Sequence, residues 1–348
     1  MGDTSRSPTI STRLQRIAEQ AKCYPEMVFT TLAHLMDVDF LREAYHRTRK
    51  DSAPGIDGVT AETYAEHLDE NLRDLHERLR SGRYQAPPVK RHWLSKADGS
   101  QRPIGLPTFE DKIVQRAVTM LLGAIYEEDF HEFSHGFRAG HSAHQALSEL
   151  REQCREQRIN WIVDADVSGF FDSLGHDLLQ EMLQRRVKDG SILRLIGKWL
   201  HAGVWDGETL LQPDTGTPQG AVVSPLLGNL FLHQVLDEWY VRMVKPRLRG
   251  RSFLIRYGDD VRHIPWRQIP FTERRGSEDK TPGSTTYLEA KAEGDSSRSL
   301  KRRAAEGVYG AALQAPRDTV RATLPKAQFP GMEAYLPCRQ RLRAGSLR

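Results

Sequence analysis

The chain has 348 residues, 39% apolar and 28% charged, the composition of a soluble globular protein and enough length for two domains. Cys23, Cys154 and Cys338 stand apart with no CxxC pair, which argues against a disulfide framework and structural zinc. The formal charge of +4 is unevenly spread: residues 261–348 carry 17 Lys and Arg against 9 Asp and Glu, leaving 33 against 37 in the first 260. Bulk charge therefore does not mark the basic surface usual in nucleic-acid binders, and function has to be read from motifs. No apolar run approaches the ~18 residues of a membrane span. MGDTSRSPTISTRLQR lacks the apolar stretch of a secretory signal, so a cytoplasmic protein without membrane contact is expected.

In chain order, residues 13–50 have helical spacing, with Leu14, Ile17 and Ala18 followed by Val28, Leu32, Leu35 and Met36. SAPGIDGVT (52–60) is a loop by its Pro and two glycines. A charged helix is predicted from about Ala61 to Arg80, with Tyr64, Leu68, Leu72, Leu75 and Leu79 on one stripe. Residues 84–108 predict a hairpin turning at ADGS, and 110–130 a strong amphipathic helix with an acidic start. FSHGFRAGHS (133–142) is a loop, AHQALSELREQC restarts helix, and NWIVDADVSGFFDSLGH (160–176) begins as a β-rich run and ends in a turn. LLQEMLQRRV and SILRLIGKWLHAGVW are two further helices. GTPQGAVVSPLLGNLFLHQVLDEWY (216–240) is a Gly/Pro loop entering a helix, with Ser224 as N-cap and Pro225 in the first turn. Leu226, Leu227, Leu230, Phe231, Val235, Leu236 and Trp239 fall on its buried face. SFLIRYGDDV is a strand entering a tight turn, and the mixture of β pieces and helices without regular βαβ spacing points to an α+β fold.

Asp166 and the pair Asp259–Asp260 both sit at the exit of short β segments, WIVDAD and FLIRYGDD. If those strands are neighbours, three carboxylates converge, repel one another, and become stable when hard divalent cations lie between them. Two such ions clamp the attacking and leaving oxygens of an in-line phosphoryl displacement, so the chemistry implied is nucleotidyl transfer. Singly, each piece is weak: an Asp-Asp turn is usually solvated surface, Asp166 equally suits a cap, and Asp164 competes for the same part.

From about Pro54 to Val261 the chain resembles the reverse transcriptases encoded by group II introns, the maturase type. GIDGVT, SKADGSQRPIGLPT, GFRAGHSAHQAL, VDADVSGFFDSLGH, GTPQGAVVSPLLGNLFL and RYGDD occur in that family's order. The resemblance implies a right-hand polymerase with fingers, and a palm on a ferredoxin-like sheet. It implies RNA-directed DNA synthesis with two Mg²⁺ ions held by Asp166, Asp259, Asp260 and the backbone carbonyl of Val167. Lys96 and Arg102 would reach the triphosphate of the incoming deoxynucleotide, with a solvated basic hairpin as the plainer reading. Phe171 would pack under the sugar and exclude a ribose 2′-hydroxyl, unless it is simply core, as Phe170 is expected to be. Gln219 would touch the nucleotide from a loop that is otherwise a plain turn. Arg138 touches template, supports the fingers or belongs to a buried ion pair. Partners implied are an RNA template, intron RNA, a DNA primer or target, and deoxynucleoside triphosphates. His131, His135, His141, His144 and His176 match no zinc spacing and are expected at the surface or in caps.

The departures are Ser95, His135, Ala139 and His141 in place of the commoner Pro, Tyr, Pro and Arg, and Gly258 in place of Ala, which leaves RNA synthesis open. From Val261 the expected return strand, K-T block and helical thumb give way to Pro265, Pro270 and a stretch rich in Arg, Gly, Ser, Thr and Pro. The expected organisation is a helical extension over 1–50, fingers and palm over 51–260, and an unrelated, poorly ordered tail over 261–348 from a truncation or frameshift. Two further readings compete with the polymerase: a non-catalytic, maturase-like cofactor that binds intron RNA, and an inactive remnant whose palm sheet lacks its return strand.

Overall fold

The computed structural model describes residues 9–95, 99, 101–156, 161–167, 169–212, 214–217, 220–248, 252–265 and 318–324. They divide into two compact units, one built from Met1–His131 with Gly169–Gln234, the other from Glu132–Ser168 with Val235–Arg348.

The first unit is organised around α5 (Phe109–Tyr126), in which Ile113, Val114, Ala117, Val118, Leu121, Leu122 and Ile125 are all fully buried. Thr108 caps it, its hydroxyl accepting from Asp111 N. α1 (Ile10–Cys23) and α2 (Val38–Arg47) pack on α5 through Ile17, Ala21, Phe40, Leu41 and Ala44. α3 (Ala61–Ala65) and α4 (Leu68–Arg80) complete that side. β1 (Val89–Ser95) and β2 (Gln101–Leu106) form the expected hairpin, of whose turn Gly99 is described at φ 81°. β4 (Val204–Trp205) and β5 (Leu210–Leu211) extend it into a sheet of order β2-β1-β4-β5, while α7 (His176–Gln184), α8 (Gly190–Leu200) and α9 (Ser224–Leu232) supply the remaining helices.

The second unit carries α6 (Ala143–Glu156) and a sheet of β3 (Trp161–Val167), β6 (Ser252–Tyr257), β7 (Asp260–Pro265) and β8 (Asp318–Leu324) in the order β6-β7-β3-β8. Ala146 and Leu150 of α6 pack on Ile255, with Cys154, Phe253 and Tyr257 around them.

Several sequence expectations are corrected. The helical run over 13–50 is two helices, because Pro25 follows the end of α1 and Asp37 caps a new start, accepting from Phe40 N. The single helix over 61–80 breaks at Glu66–His67, where Asn71 Nδ2 donates to Tyr64 O at 3.0 Å and closes the corner. HAGVW leaves α8, and its last two residues, Val204–Trp205, form strand β4. Ser224 is not the N-cap of α9: Val223 is, its carbonyl accepting from Leu226 N and Leu227 N at 3.1 Å, while Gln115 Oε1 holds the approach by accepting from Val222 N and Val223 N at 2.7 and 3.3 Å. After Leu232 the chain winds as a π-helix over His233–Asp237. Most consequentially, a return strand does follow the aspartate turn. β7 is hydrogen-bonded on both sides, along its whole length to β6 and over Asp260–His263 to β3, and this pairing offsets its weak alternation. Pro265 is its last residue, where a missing N–H costs least. β8, inside the stretch expected to hold no strand, pairs parallel with β3. Among the described residues, no helix is long and apolar enough to cross a membrane.

Candidate active site

The turn that carries the aspartates is a two-residue hairpin connection: Tyr257 pairs with Asp260, leaving Gly258 and Asp259 between them. Gly258 has φ 66°. A left-handed glycine at the first central position is the type II′ arrangement, whose twist matches the flanking strands. That accounts for glycine where the sequence comparison expected alanine. On the other side of β7, the antiparallel register sets Val163 opposite His263, Asp164 opposite Arg262, Ala165 opposite Val261 and Asp166 opposite Asp260. Directly opposed residues in such a ladder have Cα atoms about 4.5–5.5 Å apart. The backbone thus brings Asp166 and Asp260 together, with Asp259 adjacent, and sets Asp164 two positions farther from the turn. Val167 continues the strand and is buried.

Sequence reasoning missed what lies beneath the turn. Arg256 and Asp237 form an ion pair in which neither side chain has any exposed surface. Arg256 Nε and Nη2 donate to the two Asp237 carboxylate oxygens at 2.9 and 2.7 Å, and Nη1 donates to the Gly258 carbonyl at 3.0 Å. The same residue's backbone is held from the loop over 133–142: Arg256 N donates to Phe133 O at 2.9 Å and His135 N to Arg256 O at 2.8 Å. A cation in the middle of the apolar strand FLIRY was the available signal, since such a charge has to be paired when buried.

In the first unit, the loop that leads to α9 is pinned at both ends of its TPQG segment. Thr217 N donates to Phe171 O at 2.8 Å and Gly216 N to Leu174 O at 2.7 Å, while His176 Nε2 meets Gly216 O at 2.7 Å. Gly216 (φ 91°) lies so close that a Cβ there would fall 2.9 Å from the Asp172 backbone. Gly220 (φ 108°) abuts β2, and its Cβ would meet Gly105 O at 2.6 Å. Phe171 and the strand bearing Arg102 therefore flank one loop. The Phe171 ring is buried against Phe170, and a Cβ on Gly228 would press on both rings at 2.9 and 3.1 Å. Arg102 stands exposed, opposite Leu94 in the hairpin. Lys96 and Gln219 lie outside the described residues.

Beneath this loop Gln115 links the helix start to a buried carboxylate, its Nε2 donating to Asp111 Oδ2 at 2.8 Å. Asp111 also accepts from Trp199 Nε1 at 2.7 Å and from the Tyr84 hydroxyl. Burial pushes its pKa up to about 6 even though these three donors favour the charged form. The sequence had suggested only an acidic helix start here. The histidines differ from expectation too, since His135 and His176 are buried. His135 Nε2 bonds Glu149 Oε2 at 3.0 Å, and its Nδ1 lies 3.2 Å from His141 Nδ1. Arg138 Nη1 donates to Ser134 O at 2.6 Å.

Residues 94–263 match the family described as "Reverse transcriptase (RNA-dependent DNA polymerase)". Protein YkfC of Escherichia coli (strain K12) is 36% identical over 242 residues, which are 67% of this chain and 64% of that protein. Group II intron-encoded protein LtrA of Lactococcus lactis subsp. cremoris is 33% identical over 232 residues, 66% of this chain and 38% of LtrA. This chain belongs to the group II intron reverse transcriptase family. It spans less than two thirds of either relative's length. A solved structure titled "Partial Cas6-RT-Cas1--Cas2 complex" aligns over 66% of this chain and 37% of its own, at 22% identity and a TM-score of 0.40. The mixed helices and sheets of this chain are those of an α+β fingers–palm fold, the class expected from sequence.

Proposed function

We propose that the chain copies RNA into DNA. A primer's 3′-hydroxyl attacks the α-phosphorus of a deoxynucleoside triphosphate, a new P–O bond forms, and pyrophosphate leaves with the electrons of the bond that breaks. The observation that carries this reading is the register of Asp166 opposite Asp260, one residue from Asp259. Carboxylates borne by residues so paired repel one another unless cations intervene, and three aspartates with the Val167 carbonyl would make the all-oxygen donor set that hard divalent ions prefer. Asp166, Asp259, Asp260 and Val167 would hold two Mg²⁺. Bound there, the ions would favour the ionised primer hydroxyl and neutralise the leaving pyrophosphate.

The chain's own residues do the rest. Lys96 and Arg102 bind the triphosphate, the Arg fork suiting phosphate oxygens. Phe171, backed by Phe170 and Gly228, is a wall under the sugar that leaves no room for a 2′-hydroxyl. Gln219 contacts the nucleotide from a loop whose position Gly216 and Gly220 make possible. The fingers and palm occupy 51–260 together with the strands β7 and β8 that complete the palm sheet, preceded by the helical extension over 1–50, and the rest of 261–348 is a tail. RNA template and intron RNA, a DNA primer or target, and deoxynucleoside triphosphates are the partners, and the work is tied to intron splicing and mobility. The similarity to an intron-encoded protein supports that link.

Primer extension on an RNA template by the full chain tests the reading, with Asp259→Ala and a chelator in parallel. Mg²⁺-dependent incorporation of deoxynucleotides that disappears in the variant is the expected result. RNA binding with no incorporation by the unsubstituted chain would replace the polymerase with the splicing cofactor.

A further inference from the structure

Phe137, in the loop over 133–142, has φ 59°, the one left-handed residue other than glycine among the described residues. A bulky side chain in that region is a strained outlier that persists only where the surroundings over-determine it. They do so here. Ser134 forms a parallel bridge to Arg256, and His135 N donates to Arg256 O at 2.8 Å. Gly136 lies so near the aspartate turn that a Cβ would fall 2.0 Å from Gly258 N. On the far side, Arg138 Nη1 ties back to Ser134 O at 2.6 Å and His141 N to Arg138 O at 3.3 Å. Glycine would take this conformation without strain. Burial does not offset the cost either, for the residue is 56% exposed. Its edge nevertheless stands over the catalytic turn, 2.9–3.6 Å from where a Cβ of Gly258 would be.

We propose that Phe137 is a stacking residue for the primer strand, its ring receiving the nucleobase of the primer's terminal nucleotide beside the Gly258–Asp259 turn. The proposal rests on the polymerase reading: residues that activate a 3′-hydroxyl must lie beside the sugar that bears it, and the terminal base hangs from that sugar. An exposed ring is the side chain that binds a base face without regard to sequence. Phe137 also fixes the identity of residue 258, since its ring fills the space an alanine methyl would need.

The test uses the full chain, a DNA primer annealed to RNA, and a second primer whose terminal nucleotide is abasic. Dissociation constants are measured by fluorescence anisotropy at one salt concentration, alongside KM for the deoxynucleotide. Stacking of this kind is worth roughly 5- to 150-fold in affinity. Phe137→Ala should therefore weaken binding of the normal primer by that factor, Phe137→Leu should weaken it nearly as much, and Phe137→Trp should retain it. The abasic primer should bind the unsubstituted chain as weakly as the normal primer binds Phe137→Ala, and should lose nothing further in that variant. The nucleotide KM should stay put. Full affinity in Phe137→Leu means the ring only packs on Gly258, and an abasic penalty unchanged in Phe137→Ala means no base sits on it; either result overturns the proposal. If the unsubstituted chain extends primers but shows the second result, stacking falls and the polymerase stands. If it discriminates against the abasic primer through Phe137 yet never incorporates a nucleotide, the polymerase falls and stacking stands. Failure to bind primer–template at all sinks both.

Discussion

Replacing Arg256 by methionine keeps the length of the buried stem and removes its charge. The hydrogen bonds to the two Asp237 oxygens and to the Gly258 carbonyl go with it, and the Asp237 carboxylate is left fully buried without its paired guanidinium. Removing one partner of a buried ion pair costs about 3–5 kcal/mol. The loss falls on the strand that enters the aspartate turn. A chain with two compact units need not unfold in one step, so a global melting curve is a poor gauge. Native-state hydrogen exchange of peptides covering 252–265 reads the local cost directly. Exchange there should accelerate by roughly 100- to 5,000-fold, while peptides of α5 serve as the control for global unfolding. The double variant Arg256→Met, Asp237→Leu removes both charges and should recover to within about 1–2 kcal/mol of the starting protein. An acceleration below tenfold in the single variant, or a double variant no better than the single, would refute this account of the turn.

Asp111 makes stability depend on pH. Its pKa rises in the fold from 3.8 to about 6, so the native state holds its proton more tightly than the unfolded chain, and the stabilisation is fully present below 3.8 and lost as pH rises through about 6. That rise corresponds to about 3 kcal/mol. Asp129 is raised to about 6 as well, mainly by burial against the opposing effect of Arg186. The melting transition of the first unit, in which both groups lie, should thus shift upward between pH 7.5 and pH 5, and Asp111→Asn should flatten the slope; an unchanged slope would discount the burial argument. Gly220→Ala should push the TPQG loop off Gly105 and lower extension at least tenfold with a raised nucleotide KM, measured in steady state. Gly228→Ala should shift Phe171 and change the ratio of deoxynucleotide to ribonucleotide incorporation, without abolishing synthesis.

What was legible in the sequence was local. RYGDD announces its own turn, and WIVDAD its own strand, so Asp166, Asp259 and Asp260 could be named and their adjacency anticipated. The Ala61–Arg80 break was invisible because the side chain that closes it, Asn71, carries no helix-stop signal. Ser224 had every mark of a cap, yet it stands inside the helix, because Gln115, far away in sequence, fixes the backbone at Val222 and Val223 just ahead of it. Asp237 looked like one more polar helix position, since only the fold brings it to Arg256. The return strand β7 was hidden for a different reason: hydrogen-bonding to two neighbours lets a strand form where side-chain alternation alone would not predict it.

The pairing of Asp166 with Asp260 also dictates how late this sheet can begin to close. About ninety residues separate the two strands, and the ribosome must release all of them before β3 finds β7. Until then the segment WIVDADV waits with open backbone edges, the kind of exposed template that recruits other chains. Such late closure makes slow, long-range folding the expected kinetic regime for this half of the molecule. Synthesis at reduced temperature or with a holdase present should accordingly raise the soluble yield.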